Sequence, residues 1–425
     1  MPVTVCVVGS GGREHALARL LARSCDVVVT PGNPGMPSEL SGHRISVTPA
    51  PPQEIGARLT VIGPEAPLVG GMADRLRARG MAVVGPGADG AQLEGSKAFM
   101  KDALSEAGVA TARYGVFGDL DEARRFLSGL PGPFVVKTDG LAAGKGVLVA
   151  ETLEEAEADV AAKLSGRAFG DAGRRVVIEE GLVGFECSIQ ALCDGARVVP
   201  LAAARDFKRV FDGDRGANTG GMGSYSPPPE VDEALLDRVM DEAVAPIVAT
   251  LARRGIDYRG VLYAGIMITA DGPFVLEYNV RFGDPEAQVV LPRLADDPLG
   301  LLMAVAEGRL AAPPRFSPDA AVCVVAAAAG YPESPVTGDL IGGLGPDGQL
   351  ADPVEGLTVL HAGTIRDADG AFRVGGGRVL GLTARAPTLA AARQRAYEAV
   401  ARVTWPGMRV RGDIALSPEP TVVVR

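Results

Sequence analysis

Short apolar runs alternate with glycine turns and amphipathic segments over residues 3–87 of this 425-residue chain. Residues 3–24 read as a strand, a glycine turn and a helix, and residues 59–80 repeat that order. Strands that alternate with helices pack as a parallel sheet with helices on its faces. The pattern therefore predicts a parallel α/β domain at residues 1–95.

The remainder of the chain predicts two further domains of mixed character. Residues 96–112 indicate a helix and a connector. Residues 113–312 carry antiparallel strands and, within 115–185, a glycine-rich flap. After a proline-rich linker, residues 319–425 alternate short strands with one helix. The predicted fold class is α/β and α+β multidomain, with a small α+β domain at the C-terminus.

A strand near residue 277 ends in an unusual set of polar side chains, in the stretch VLEYNVRFGDPEAQ. Alternate residues of a strand project to one face, so Glu277, Asn279 and Arg281 would lie side by side. Two oxygen donors beside a guanidinium favour a metal–phosphate site. A solvated strand face is the alternative, and the triplet alone does not separate the two.

Lysine is scarce and clustered, since only six of 42 basic residues are lysine and all six lie between positions 97 and 208. A chain that otherwise uses arginine can retain lysine where a compact ammonium contacts phosphate. Chance clustering and uneven codon use are the alternative, which we accept for Lys101 and Lys163 but not for the set of Lys97, Lys101, Lys137, Lys145, Lys163 and Lys208.

The segment KTDGLAAGKG predicts a flexible flap between two strands. Gly140, Gly144 and Gly146 allow the backbone to approach an anion closely. Lys137 and Lys145 flank the flap, which could close over phosphates and exclude water. The GxxxxGK[ST] phosphate loop is absent, and a purely structural hairpin is the alternative.

Two further segments give weaker signals. In IEEGLVGFE, backbone groups around 180–182 could read an adenine edge, and Glu186 could accept hydrogen bonds from ribose hydroxyls. In GSGGREHA, Gly9, Gly11 and Gly12 follow a strand, but Glu14 stands where a dinucleotide fingerprint has its third glycine. An anion at the helix N-terminus fits this turn equally well.

Composition excludes several classes of function. The net charge of −10 argues against nucleic-acid and membrane-surface binding, which use basic faces. Five cysteines without a CxxC pair indicate reduced thiols in a cytoplasmic protein and no zinc site. We identify no signal peptide and no run of the roughly 18 apolar residues that a membrane helix needs.

The order of these features resembles the ATP-grasp superfamily and, more narrowly, the phosphoribosylamine–glycine ligase family. The matching stretches include GSGGREHALA, VIGPEAPLVGG, AQLEGSKAFMKD, KTDGLAAGKGV, ANTGGMGSYSP and RFGDPEAQ. The resemblance implies an N-terminal substrate-binding domain, a central ATP-grasp domain and a reaction of ATP, glycine and 5-phosphoribosylamine. Its products would be glycinamide ribonucleotide, ADP and phosphate, formed through glycyl phosphate in de novo purine biosynthesis.

The resemblance also implies a role for each matching residue, with Mg²⁺ or Mn²⁺ as the metal. The implied metal ligands are Glu277 and Asn279. The implied catalytic residues are Arg281, Asp284, Glu286, Asp206 and Lys208, of which Asp284 and Glu286 would orient Arg281 or the substrate amine. The implied nucleotide contacts are Lys97, Lys137, Gly144, Lys145, Gly146, Glu179, Glu180, Leu182 and Glu186. The implied substrate contacts are Gly9, Gly11, Gly12, Asn218, Thr219 and Gly220. We expect a monomer, with a transient contact to the upstream amidotransferase as a further possibility.

Three positions depart from the family pattern. Phe207 stands where the family usually has histidine, Gly181 where it has a bulky residue, and Phe185 where it often has an acid. Phe207 leaves open another ATP-grasp carboxylate–amine ligase with a different amine or amino acid. A nicotinamide oxidoreductase, suggested by the glycine turn, and a non-catalytic binding protein are the remaining hypotheses.

Overall fold

The N-terminal region forms a six-stranded sheet in the computed structural model, which describes residues 3–141, 146–166 and 174–416 and the backbone of 423–424. Its strands are β1 (Thr4–Gly9), β2 (Asp26–Pro31), β3 (Ser38–Leu40), β4 (His43–Val47), β5 (Leu59–Ile62) and β6 (Ala82–Val84). Its helices are α1 (Gly12–Leu21), α2 (Glu65–Val69), α3 (Met72–Arg77) and α4 (Gln92–Gly95), with a 3₁₀ turn at Pro52–Glu54. The strand order is β3-β4-β2-β1-β5-β6, and every pair except β3–β4 is parallel, which confirms the predicted parallel α/β domain.

A helix and a four-stranded antiparallel sheet follow. The elements are α5 (Lys97–Ala107), β7 (Tyr114–Phe117), α6 (Leu120–Leu127), β8 (Phe134–Thr138), β9 (Val147–Ala150), α7 (Leu153–Leu164) and β10 (Val176–Glu180). The strand order is β7-β10-β8-β9, and Leu127, Val136 and Ile178 belong to the core under α6 and α7. This small sheet is the flap subdomain, and its β8–β9 connection carries the glycine-rich segment.

The segment predicted as a polar loop at 206–223 folds into short strands instead. The strands of this region are β11 (Val183–Asp194), β12 (Val198–Pro200), β13 (Arg205–Asp206), β14 (Arg209–Phe211), β15 (Arg215–Asn218) and β16 (Gly223–Ser226). β16 pairs with the strand Ala320–Ala327 of the C-terminal region. Backbone partners almost 100 residues away in the chain decide this pairing, and the local sequence does not reveal them.

A second antiparallel sheet and its helices form the centre of the molecule. The elements are α8 (Glu233–Val239), α9 (Ala245–Arg253), β17 (Arg259–Thr269), β18 (Gly272–Asn279), α10 (Ala287–Val290) and α11 (Pro298–Glu307), with a 3₁₀ turn at Leu291–Arg293. The helix predicted across 231–253 contains a π-helical stretch at Met240–Val244, immediately before Pro246. Proline lacks the N–H that an α-helical bond would need, and a wider turn accommodates it. The sheet order is β12-β11-β17-β18.

The C-terminal region completes the fold with antiparallel strands and one helix. The elements are β19 (Ala320–Ala327), β20 (Leu357–His361), β21 (Thr364–Arg366), β22 (Phe372–Val374), β23 (Arg378–Ala386), α12 (Leu389–Val400) and β24 (Val423–Val424). Its sheet has the order β13-β16-β19-β23-β20. One buried apolar core contains Leu17 of α1, Val290 of α10 and Cys323 of β19, so the N-terminal, central and C-terminal regions pack directly on one another.

Candidate active site

The charged end of β18 lies beside β17, and a bulge separates it from the rest of the strand. Gly265 pairs with Glu277 and Ile266 with Val275, so Leu276 is the extra residue. A bulge re-aims the side chains next to it. The Asn279 Nδ2 atom lies 3.5 Å from Glu277 Oε1, and the Arg281 Nη2 atom lies 3.4 Å from Asn279 Oδ1. The three side chains are therefore neighbours, as the strand alternation predicts.

Lys137 reaches this strand from the flap subdomain. Its ammonium donates to the Leu276 carbonyl at 3.2 Å and pairs with Glu179 Oε1 at 2.8 Å. The other Glu179 oxygen lies 3.2 Å from the Lys101 ammonium, which is fully buried and also donates to the Thr111 hydroxyl. Burial lowers the pKa of Lys101 to about 8. Glu179 thus holds two lysines, and the buried Lys101 has a structural role that the sequence did not predict.

Lys97 comes from α5, at the start of that helix. Ser96 caps the helix, accepting from the Phe99 N–H, and its hydroxyl donates to Asp139 of the flap connection at 3.0 Å. Burial lowers the pKa of Lys97, and Glu277 opposes that shift. No described residue forms a hydrogen bond or an ion pair with the Lys97 ammonium. It is therefore available to an anion in the same space as Glu277.

Glu277 stays ionised despite its position. Burial alone would raise the pKa of its carboxyl, but the ammonium groups of Lys208, Lys137 and Lys97 outweigh burial and lower that pKa. The carboxylate is therefore negative at neutral pH and faces positive groups from three different elements. Such an arrangement is suited to a cation and polyphosphate together.

Lys208 connects β11 to the 205–226 strands. Its ammonium pairs with the carboxylate of Glu186 on β11 and lies 3.3 Å from Asp206 Oδ1. The structure therefore brings together two residues that the resemblance assigned as catalytic, Asp206 and Lys208, and one assigned as a nucleotide contact, Glu186. Glu186 is engaged by a lysine, and its predicted contact with ribose stays a prediction.

Glu286 lies on the far side of this cluster, 3% exposed. The Ser188 hydroxyl donates to Glu286 Oε1 at 3.1 Å and lies 2.9 Å from the Tyr263 hydroxyl and 3.4 Å from Asp206 Oδ1. Burial and then the nearby Asp206 carboxylate raise the pKa of Glu286 to about 7. A carboxyl with such a pKa can exchange a proton near neutral pH.

Arg281 is held by two acids that the sequence reading did not assign. Its Nη2 donates to Glu94 Oε1 at 2.8 Å, and its Nε lies 3.4 Å from Glu65 Oε2. Glu94 also accepts from the Val280 N–H, at 2.8 Å. No direct bond joins Arg281 to Asp284 or Glu286 among the described residues, where Glu94 and Glu65 contact the guanidinium. The expectation that Asp284 and Glu286 orient Arg281 or the substrate amine stays a prediction. The two acids that contact Arg281 lie in stretches that match the family, Glu65 in VIGPEAPLVGG and Glu94 in AQLEGSKAFMKD, and that match could have pointed to them.

Asp284 is instead bound by an arginine from the C-terminal sheet. Arg378 Nη2 lies 3.0 Å from Asp284 Oδ2, and Arg378 Nη1 donates to the Gly220 carbonyl at 2.6 Å. Burial would raise the pKa of Asp284, but Arg378 lowers it. Arg378 therefore joins two segments that the sequence placed near the substrates, and it was not predicted.

The 218–220 segment lies beside this arginine. Thr219 is bonded within its own hairpin, because its hydroxyl and its N–H both donate to the Lys208 carbonyl, at 2.8 and 2.7 Å. The buried Oδ1 of Asn218 has no hydrogen-bond partner among the described residues. A buried acceptor without a partner is consistent with a ligand donor at that point.

The glycine turn after β1 already contains an anion. The Gly11 N–H donates to Glu14 Oε2 at 2.7 Å, and Arg13 Nε donates to Glu14 Oε1 at 2.6 Å. A Cβ on Gly9, whose φ is +126°, would lie 2.6 Å from the Glu14 side chain, and one on Gly63 would lie 2.0 Å from it. An anion does lie at this helix N-terminus, and it is the chain's own carboxylate, which stands where a dinucleotide fingerprint has its third glycine. Substrate contacts by the turn glycines stay a prediction.

Three family models match this chain, and together they span most of it. They are the N domain (residues 3–94), the ATP-grasp domain (95–287) and the C domain (321–417) of phosphoribosylglycinamide synthetase. The chain belongs to the phosphoribosylglycinamide synthetase family. A phosphoribosylamine–glycine ligase of Caulobacter vibrioides is 48% identical over 422 residues, covering 97% of each chain. One of Streptomyces coelicolor is 48% identical over 421 residues, covering 97% of this chain and 98% of the relative.

Solved structures of this family and of more distant proteins have the same architecture. A phosphoribosylamine–glycine ligase from Thermotoga maritima has a TM-score of 0.82 at 33% identity, covering 97% of this chain and all of the other. A biotin carboxylase from Campylobacter jejuni, in complex with a nucleotide, has a TM-score of 0.71 at 14% identity, covering 96% of this chain and 93% of the other. The second match shows the fold alone. The predicted ATP-grasp architecture is confirmed.

The departures from the phosphoribosylglycinamide synthetase pattern have structural explanations. Phe207 is 9% exposed and packs in the C-terminal core, with Arg411 4.8 Å above its ring and Tyr225 beside it. It points away from the Lys208 cluster, so it removes no donor from that cluster. Gly181 donates its N–H to the Pro133 carbonyl at 2.7 Å. The backbone connection at the end of β10 therefore forms without the bulky side chain.

The structure describes some of the predicted nucleotide contacts and not others. Glu180 Oε1 accepts from the Arg113 N–H at 2.9 Å, and Leu182 belongs to a small apolar cluster with Ala112, Met267 and Leu276. Gly146 is described, and its carbonyl accepts from the Thr138 N–H. The predicted contacts by Gly144 and Lys145 lie outside the described residues.

The residues near Glu277 supply only some of the ligands that a magnesium ion needs. Glu277 and Asn279 supply hard oxygen donors, but no described group of three or more His, Cys, Asp or Glu residues could hold a metal ion. Magnesium is commonly bound by one or two carboxylates together with substrate phosphates. The donor set therefore fits a metal that arrives with the nucleotide.

Proposed function

We propose that this member of the family joins glycine to 5-phosphoribosylamine with consumption of ATP, in de novo purine biosynthesis, and that it does so through glycyl phosphate. The products are glycinamide ribonucleotide, ADP and phosphate. The observation that carries the proposal is the convergence of Glu277, Asn279 and Arg281 with the ammonium groups of Lys97 and Lys137 in one space. No enzyme nucleophile is needed, because the transferred phosphoryl activates the carboxylate directly.

The nucleotide binds between the flap sheet and β18. Lys97 and Lys137 contact its phosphates, and the free ammonium of Lys97 supports this assignment. The adenine lies against the apolar cluster of Leu182, Met267 and Leu276, with backbone groups at 180–182 at its polar edge. Glu186 accepts from the ribose, and the segment containing Gly144, Lys145 and Gly146 covers the phosphates.

Glu277 and Asn279 would hold a divalent metal that arrives with the nucleotide, with Mg²⁺ or Mn²⁺ as the expected ion. When bound, it neutralises charge on the transferring phosphoryl group. Ionised Glu277 supports this role, because the lysines keep its pKa low. Glu179 does not need to touch the nucleotide, since it positions Lys137.

Arg281 stabilises the negative charge that develops on the acyl phosphate, while Glu94 and Glu65 hold its guanidinium in place. The nitrogen of phosphoribosylamine then attacks the glycyl carbonyl, phosphate leaves, and the amine loses a proton. Glu286 accepts that proton, and its pKa of about 7 is suited to the transfer. Asp206, Lys208, Asp284 and residues 218–220 shape the pocket for the two small substrates.

The direct test measures ADP release with ATP, Mg²⁺, glycine and freshly made phosphoribosylamine. Release that requires both substrates supports the proposal, and release without glycine contradicts it. Another carboxylate–amine ligase has lost its best support, because Phe207 packs in the C-terminal core. A panel of amino acids and amines would reveal such an activity directly.

Three other properties stay predictions. They are the domain boundaries at residues 95, 112 and 312, the monomeric state, and a transient contact with the amidotransferase. A cytoplasmic location is supported by five free, buried thiols. No helix among the described residues is long and apolar enough to cross a membrane. Light scattering during size-exclusion chromatography would test the monomer.

A further inference from the structure

A large cleft lies away from the candidate active site, where the three regions of the molecule meet. Its volume is about 790 Å³, within the range of roughly 300–1,000 Å³ that is usual for ligand pockets. Its walls come from the second half of α1, from residues 292–295 and from β20 and β23. The first turn of α1 faces the candidate site, where Arg13 donates to the Phe282 carbonyl, so the helix separates the two spaces.

The cleft is strongly basic although the chain as a whole is acidic, with a net charge of −10. Five arginines and two carboxylates line it: Arg19, Arg23, Arg293, Arg385, Arg395, Asp319 and Glu355. Both carboxylates are already paired, Asp319 with Arg385 at 2.8 Å and Glu355 with Arg395 at 3.0 Å. The lining therefore retains an excess of positive charge.

One guanidinium group in this lining has no described partner, and a second has one N–H without an acceptor. No described residue forms a hydrogen bond or an ion pair with Arg19, although the side chain is half-buried. The Nε atom of Arg385 is buried and has no hydrogen-bond partner among the described residues. Desolvated donors without acceptors are unfavourable, and an anion between them would supply the acceptors. Arg23, Arg293 and the Nη1 of Arg385 donate to backbone carbonyls of the cleft wall.

The rest of the lining is apolar. Leu20, Leu40, Leu294, Leu357 and Pro387 form walls beside the guanidinium groups. A small inorganic anion would leave this surface and most of the volume unused. A ligand with a flat apolar body and one charged end would use both parts of the cleft.

We propose that this cleft binds an organic anion of the size of a nucleoside monophosphate, with its phosphate on Arg19 and Arg385 and its ring against the leucines. Arginine binds phosphate through charge-assisted hydrogen bonds, which suits the unpartnered guanidinium of Arg19, and the Nε–H of Arg385 supplies a further donor. The site does not depend on the function proposed above, because none of its lining residues belongs to the candidate active site.

Calorimetry with guanosine 5′-monophosphate tests the proposal, with the full chain saturated by Mg²⁺ and a non-hydrolysable ATP analogue to block the nucleotide site. We expect binding that Arg19→Gln weakens by about tenfold or more, as for the loss of a charge-assisted bond. Arg58→Gln, at an exposed arginine of the same domain, is the matched control and should bind as the unaltered chain does.

A second variant, Thr358→Trp, fills the cleft without removing a guanidinium and should also abolish binding. Thermal unfolding of each variant verifies that it is folded. Absence of binding to the unaltered chain would overturn the proposal, as would unchanged affinity in Arg19→Gln. Inorganic phosphate that binds as tightly as the nucleotide would overturn it too, since the apolar walls would then contribute nothing.

Discussion

The glycine turn after β1 and the charged end of β18 differ in where their counter-ions come from. In the turn, Glu14 of the same helix accepts from Gly11, and the glycines leave just enough room for its side chain. At β18, the groups opposite Glu277 come from three other elements, and one of them, Lys97, has no described partner. A segment that looks suited to an ion is a stronger candidate for a binding site where a charged group opposite it has no partner within the described residues.

The largest effect should follow removal of the Glu277 carboxylate. We expect Glu277→Ala to lower kcat by about 10²–10³-fold, because charge on the transferring group would lose its stabilisation. The fold should persist, since the residue does not serve the core. Steady-state turnover and circular dichroism measure the two effects. Glu154→Ala, at an exposed residue of the flap, is the control. Near-native turnover in Glu277→Ala would mean that the charged residues at the end of β18, like Glu14 in the glycine turn, only stabilise the fold.

A smaller loss should follow the release of Arg281. Glu94→Gln keeps the shape of the side chain but removes the charge that pairs with Arg281 Nη2. We expect kcat to fall by about 10–100-fold, as for loss of a group that orients a reacting residue, with little change in the KM for ATP. Glu65→Gln should cost less, because its oxygen is 3.4 Å from the guanidinium. Equal and small effects of both variants would contradict a positioning role.

The pH dependence tests Glu286. Its pKa of about 7 predicts that kcat rises with pH up to that value, because only the ionised carboxylate accepts a proton. The same raised pKa also affects stability, since the folded state favours the protonated form of Glu286. We therefore expect the free energy of unfolding to decrease as the pH rises from 4.5, the ordinary pKa of a glutamate, towards 7. Glu286→Gln should remove both dependences. A pH–rate profile that persists in this variant would assign the proton transfer to another group.

The glycine turn should respond in stability. Gly9→Ala introduces a Cβ that collides with Glu14 at a positive φ, and we expect a loss of about 1–3 kcal/mol in the free energy of unfolding. Gly56 also has a positive φ, but a Cβ added there would meet no atom within 4 Å, so Gly56→Ala separates backbone strain from the collision. Urea unfolding compares the two. Equal losses would mean that the packing of Glu14 is unimportant.

The smallest effect should come from Phe207. Phe207→His restores the residue usual in the family, yet the ring lies under Arg411 and away from Lys208. We expect unchanged kcat and KM and a loss of about 1 kcal/mol in stability, because a polar ring enters an apolar cluster. A clear gain in turnover would contradict this, because it would show that the residue at position 207 affects the substrate site.

The order of strands and helices was predictable because it depends on local periodicity. The parallel N-terminal domain, the flap and the hairpin of β17 and β18 all follow from patterns within a few residues. The sheet that contains β13 and β16 was not predictable, since β16 pairs with β19, which begins about 100 residues later. The side-by-side arrangement of Glu277, Asn279 and Arg281 was predictable for the same local reason.

The sequence by itself determined which side chains are available: a strand end with two oxygen donors and a guanidinium, and six lysines within one part of the chain. Only the tertiary structure decided which charges meet. Glu179 pairs with Lys137 and Lys101, Glu94 pairs with Arg281, and Arg378 pairs with Asp284. The physical reason is that periodicity is set by neighbouring residues, whereas the partner of a buried charge is set by which elements pack against it, often from distant parts of the chain.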